Sequence, residues 1–138
     1  MKKIKNAIRK ICRNIVMFQK RTYLFLKYKL NKNSGKLLIQ RRNTRGLGLT
    51  TMMIKDCKKN GYYLFVPSLK DKYVIAKITE KLGYEINVLI PSDNLLGKRS
   101  LDVVIDNHCS FADVYKLLND NQGRINIVNG FVYEPLAR

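Results

Sequence analysis

The sequence predicts an α/β domain: a mainly parallel sheet of about five strands with helices on both faces, preceded by a basic amphipathic helix. Three observations predict it. Short β-branched runs alternate with amphipathic segments, glycine or proline punctuates the junctions, and positive charge is gathered at the N-terminal end. At 138 residues the chain makes one domain with a real core and has no room for a second full one. Ordinary apolar content, without low-complexity tracts or internal repeats, argues against a disordered chain.

The first element is a helix. Ile4, Ile8, Ile11, Ile15, Phe18 and Phe25 recur with alternating four and three spacings, Thr22 filling the gap, while Lys5, Arg9, Arg13, Lys20 and Arg21 fall elsewhere. The expectation is that the apolar stripe packs on the α/β core and the basic face looks outward. The same pattern suits a membrane-surface helix, a partner-binding helix or an Arg-rich transit peptide. No uninterrupted apolar run approaches the roughly 18 residues of a membrane span, and Arg9, Arg13 and Lys20 interrupt any secretory signal. Asn31 to Lys36, NKNSGK, reads as a linker. The expected organisation is therefore 1–33, helix and linker, and 34–138, the α/β domain.

Lys36 to Thr51, KLLIQRRNTRGLGLTT, reads as a buried strand, a glycine-bearing turn and the start of a helix from Thr50 to Asn60 that Gly61 ends. YYLFV follows as a buried strand stopped by Pro67, and Leu69 to Leu82 as an amphipathic helix stopped by Gly83. Ile86 to Ile90 is a third strand, closed by Pro91, and Ser92 to Arg99 a polar loop. A strand ending at Asp106, a helix from Phe111 to Leu118 and a strand from Arg124 to Val128 complete the order.

The net charge of +17 is uneven. Sixteen Lys or Arg precede the first carboxylate, Asp56; the remainder carries eleven bases and ten acids. Such asymmetry predicts a polyanion for one face. Nucleic acid leads, through phosphate neutralisation by Lys5, Arg9, Lys10, Arg13, Lys20, Arg21, Arg41 and Arg42. An anionic membrane surface is second, and a solvated face with no specific partner is the third reading. The abundance of Lys, Asn, Ile and Tyr is consistent with an AT-rich genome, whether of a phage, another mobile element or a cellular host.

Chemistry concentrates in the turn. In the motif G-x-x-x-x-G-K-[ST], backbone amides and a helix N-terminus surround phosphates, the Lys reaches the outer charge and the hydroxyl holds Mg²⁺. Placing Gly48 at the second glycine puts Asn43 at the first, Leu49 at the lysine and Thr50 at the hydroxyl. Downstream, Ser100 to Asn107, SLDVVIDN, carries a carboxylate to a strand end, where ligands of open parallel sheets bind.

On LLIQRRNTRGLGLTT and LDVVIDN, residues 36–131 resemble a small, degenerate P-loop NTPase core. The resemblance implies ATP held by Asn43, Thr44, Arg45, Gly46, Leu47, Gly48, Leu49, Thr50 and Thr51, with Mg²⁺ at Thr50 and Asp106. It also implies a Lys where Leu49 stands and a Glu where Asn107 stands, so both departures fall on catalytic groups and hydrolysis is not expected to be efficient. Arg45 or Arg42 would supply the missing charge, or contact nucleic-acid phosphate instead. Thr50 and Asp106 are otherwise a helix-start hydroxyl and a strand-end acid. Asn107 can orient a water but not deprotonate it. His108, the sole histidine, is either a base or, more commonly at such positions, structural.

Cys12, Cys57 and Cys109 are odd in number and widely spaced, with no zinc-ligand pattern. Reduced thiols in a cytoplasmic compartment are the simple reading. Three function classes follow: a P-loop-like ATP-binding protein acting with nucleic acid; a nucleotide-free pseudo-ATPase serving as a nucleic-acid or protein-interaction module, with homo-oligomers open; and a peripheral membrane protein using residues 2–30.

Overall fold

Strand and helix alternate from the linker onward, as the punctuation of the sequence requires. The computed structural model describes residues 2–32, 36–40, 48–93, 95 and 100–134. In chain order these form α1 (Lys2–Leu30), β1 (Leu38–Gln40), α2 (Leu49–Asn60), β2 (Tyr63–Phe65), α3 (Leu69–Leu82), β3 (Asn87–Leu89), β4 (Leu101–Ile105), α4 (Phe111–Asp120) and β5 (Ile125–Tyr133). The strands make one sheet in the order β1-β5-β4-β2-β3, and every pairing is parallel. An α/β fold with a five-stranded parallel sheet is therefore what this chain adopts.

Alternation along the strands sorts the core into two layers. Leu64 and Val66 of the β2 region, with Val104 of β4 and Phe131 of β5, pack with Met53, Ile54 and Cys57 of α2 and Ile75 of α3. Phe65, Val103, Ile105 and Val132 point the other way, onto Val114 and Leu117 of α4. The right-handed rule for parallel crossovers explains this sorting. The chain moves across the sheet in one direction through α2 and α3 and returns through α4, so α4 lies on the opposite face. Adjacent strands β2 and β4 consequently send their helices to opposite faces, which makes their carboxyl ends the topological switch point of the sheet.

Some boundaries differ from expectation. β1 is an edge strand of three residues with Ile39 47% exposed, not a buried strand, because only β5 pairs with it. α4 runs on to Asp120, and β5 extends to Tyr133, since β5 must pair with both β4 and β1. Asn33 to Gly35 of the linker lie outside the described residues.

The largest correction concerns α1. Most of its apolar stripe does not pack on the core: Ile4, Ile8, Ile11, Ile15 and Phe18 are each more than half exposed, and of the stripe Phe25 alone is partly buried against the core. Only Leu24 and Tyr28 of this helix are buried. The reason is rotational. At about 100° per residue, Leu24 lies about 200° around the helix from Ile4, and Tyr28 the same from Ile8. The side that docks on the sheet is nearly opposite the stripe.

The docked end is held firmly. Tyr28 stacks on Phe131 with ring centroids 5.9 Å apart, and its hydroxyl donates to Asp56 Oδ2 at 2.6 Å. Buried Asn129 donates to the Tyr28 carbonyl at 2.8 Å, while its Oδ1 accepts from Asn31 Nδ2 at 2.8 Å and from the Gly130 amide at 2.9 Å. One side chain thus joins the end of α1 to β5. No helix among the described residues is long and apolar enough to cross a membrane.

Candidate functional site

Gly48 begins the site. Its φ of 76° lies in the left-handed region, which a side chain makes costly by roughly 1–2 kcal/mol, so glycine suits the turn into α2. As the N-cap it has no side chain to offer the first-turn amides. The other two core helices differ here: Ser68 accepts from the Asp71 amide to cap α3, and Ser110 with Asp113 makes a full capping box on α4. The N-terminus of α2 therefore has no side-chain cap from its N-cap residue and presents the positive end of its dipole at this turn.

Leu49, where the motif expectation puts a lysine, is only 2% exposed and belongs to the core cluster with Met53 and Ile54. Burying it there anchors α2 and turns the next residue toward the sheet edge. Thr50 then donates from Oγ1 to Asp106 Oδ1 at 3.1 Å, with Asn107 Oδ1 at 3.2 Å. A hydroxyl has one proton, so it serves these acceptors in turn, or donates to Asp106 while its oxygen accepts a hydrogen bond from the Asn107 amide turned nitrogen-first.

Asp106 is fully buried. Strand alternation places it on the face of Val104, which is the α2 face, and this brings it to Thr50. Its backbone amide donates to the Phe65 carbonyl at 3.0 Å, tying the ends of β4 and β2 at the switch point. On its other side, His108 Nδ1 lies 3.0 Å from Asp106 Oδ2 and 3.8 Å from Asp71 Oδ1. Gly130 sets the height of this edge. A Cβ there would fall 2.5 Å from the Ile105 carbonyl oxygen, so only glycine lets β5 lie against the residue preceding Asp106.

Two residues enter that sequence reasoning placed elsewhere or did not consider. Arg21 of α1 stands beside the turn: a Cβ on Gly48 would be 3.8 Å from its Cζ and Nη2, and its guanidinium lies 5.1 Å from the Phe25 ring centroid. Asp71 reaches His108 from the first turn of α3. Neither has a spacing signal, because both approach from elements distant in sequence.

Among the expected site residues, Gly48, Thr50 and Asp106 come together, and Thr51 lies on the same first turn of α2. Asn43, Thr44, Arg45, Gly46 and Leu47 lie outside the described residues, as do Arg41 and Arg42. Lys5, Arg9, Lys10, Arg13, Lys20 and Arg21 are all exposed along α1.

Thr50 Oγ1 and Asp106 Oδ1 are hard oxygens 3.1 Å apart, a donor pair that fits Mg²⁺, which binds few protein groups and fills its octahedron with water and phosphate. No group of three or more His, Cys, Asp or Glu among the described residues is arranged for a metal. Burial and the neighbouring carboxylates of Asp56 and Asp106 push the Cys57 thiol up, and burial with Asp106, Asp113 and Asp71 does the same to Cys109. Both stay thiols, without nucleophilic character. A groove of 470 Å³ between α3 and β3, lined by residues including Lys72, Ile75, Asn87 and Asp93, shares none of the Thr50 and Asp106 cluster. No protein-family model matches the chain, and no curated protein or solved structure is significantly similar to it.

Proposed function

We propose that this chain is a P-loop-like nucleotide-binding protein that takes ATP with Mg²⁺ and turns it over poorly. The observation that carries this reading is the hydrogen bond from Thr50 to Asp106 at 3.1 Å, which joins the first turn of a helix to the end of a strand two places away in the sheet. The amides after Gly48 bind phosphate oxygens. Thr50, with Asp106 behind it, offers the metal a hydroxyl and a carboxylate, and the ion would neutralise phosphate charge. Arg21 supplies the cation that Leu49 cannot, from a helix rather than from the loop. Asn107 orients a water without accepting its proton, and that is the physical reason for slow hydrolysis.

Titration with a fluorescent ATP analogue tests this, with and without Mg²⁺. Saturable binding is expected to tighten with the metal. Thr50→Ala should remove the metal dependence, and Arg21→Ala should weaken affinity about tenfold, the scale of one charge-assisted hydrogen bond. No binding, or binding indifferent to both Mg²⁺ and Thr50→Ala, sinks the reading.

A second reading is favoured by one observation: six bases of α1, Lys5 to Arg21, are exposed in a segment without acids. It makes the chain a nucleotide-free module whose basic helix binds nucleic acid. Binding to a labelled oligonucleotide that falls steeply with salt, together with no nucleotide binding, would select it.

A further inference from the structure

We infer that the outer part of α1 is a docking helix for an anionic lipid surface, lying in the interface with its isoleucine stripe down. This goes beyond the nucleotide reading and does not rest on it. Ile4 is 65% exposed, Ile8 54%, Ile11 58%, Ile15 52% and Phe18 70%, an unpartnered apolar face along about four turns of one helix. Monomeric surfaces rarely carry such a contiguous patch without an occupant. The core of the same chain is not that occupant, because Leu24 and Tyr28 dock on the sheet from nearly the opposite side of the helix.

Charge identifies the occupant. At about 100° per residue, the bases from Lys2 to Arg21 all lie about 100° to 180° from the centre of the stripe, and the helix has no acid. Lys3 and Lys5, about 100° to either side, can lay their stems along the apolar boundary and reach headgroup phosphates. An interfacial helix needs both halves of this pattern: apolar groups for the acyl boundary and cations for anionic headgroups. Nucleic acid answers the cations and leaves the isoleucines in water. A second copy of the chain would cover the isoleucines but bring two acid-free helices together. The position of the core completes the fit, since it stands on the far side of the helix from the surface on which the stripe rests.

The full chain should co-sediment with mixed phosphatidylserine and phosphatidylcholine vesicles, much less with pure phosphatidylcholine, and less as salt rises. The triple variant Ile8→Gln, Ile11→Gln, Ile15→Gln keeps charge and helix propensity and should bind the mixed vesicles about a hundredfold more weakly, with an unchanged melting temperature. Lys3→Gln with Lys5→Gln should weaken the preference for phosphatidylserine while keeping the stripe. Three results overturn the inference: no binding of the parent chain to the mixed vesicles; a glutamine variant that binds them as well as the parent, which makes the attraction charge alone; or a concentration-dependent dimer that the glutamine variant dissolves while vesicle binding is unaffected, which makes the occupant a second copy.

Discussion

The two ends of α1 are built from the same kinds of residue and have opposite fates. From Lys2 to Tyr23 the helix exposes every residue; from Leu24 to Leu30 it buries Leu24 and Tyr28 and carries hydrogen bonds to Asn129 and Asp56. Hydrophobic periodicity is stronger in the outer part than in the docked one. A regular stripe shows that a helix has an apolar face and leaves open what covers it. Docking here follows from two residues that match a site on the sheet, with ring stacking on Phe131 and a buried amide to receive the chain.

The contrast can be broken from the docked side first. Tyr28→Ala removes a buried aromatic ring together with its bond to Asp56, and should destabilise the fold by roughly 3–5 kcal/mol in urea denaturation. Asn129→Ala comes next, at roughly 1–3 kcal/mol, because the Tyr28 carbonyl and the Gly130 amide both lose a partner. The outer part should respond differently. Ile11→Gln is expected to shift stability by no more than about 0.5 kcal/mol, since a half-exposed side chain makes few contacts to lose. An equal loss from Ile11→Gln and Asn129→Ala would remove the distinction drawn between the two ends.

Titration sharpens the same contrast with a smaller effect. Burial, then the bond and charge of Asp56, push the Tyr28 phenol up, and burial pushes up Cys57 and Cys109. Folding therefore favours their protonated forms. Unfolded thiols lose protons near 9.0 and unfolded phenols near 10.0, so the stabilisation is complete below pH 9 and declines as pH rises above it. Urea midpoints should be level with respect to these groups from neutrality to pH 8 and fall toward pH 10. Exposed Cys12, on the outer part of α1, should react with a thiol reagent under native conditions at neutral pH, while Cys57 and Cys109 wait for unfolding. Three equally fast thiols would contradict the burial described.

Much of the fold was legible because its signals are local. α3 spans Leu69 to Leu82 with Gly83 after it, as the sequence predicts, and Gly61 ends α2, since caps act within a turn of the residues they stop. Pro67 and Pro91 follow strands for the same reason. The pairing of Thr50 with Asp106 was legible through motif spacing. Asp71 was not, because its approach to His108 depends on β2 and β4 being neighbours, a fact of strand order rather than of spacing. In the sequence Arg21 is one base among many. Its place beside Gly48 depends on how α1 rotates onto the sheet.

The sequence by itself determined an alternating α/β chain, a lysine-free turn at Gly48, an acid ending the Asp106 strand and an acid-free basic helix in front. Periodicity, capping and charge are properties of neighbouring residues, and no other part of the molecule is needed to express them. Only the tertiary structure decided that β1 would be an edge strand, that Gly130 would let β5 close on Ile105, and that the isoleucine stripe would face away from the core. These depend on contacts between elements far apart in the chain. Leu24 and Tyr28 won that competition against a longer stripe because Phe131, Asp56 and Asn129 satisfy both their apolar and their polar groups at once.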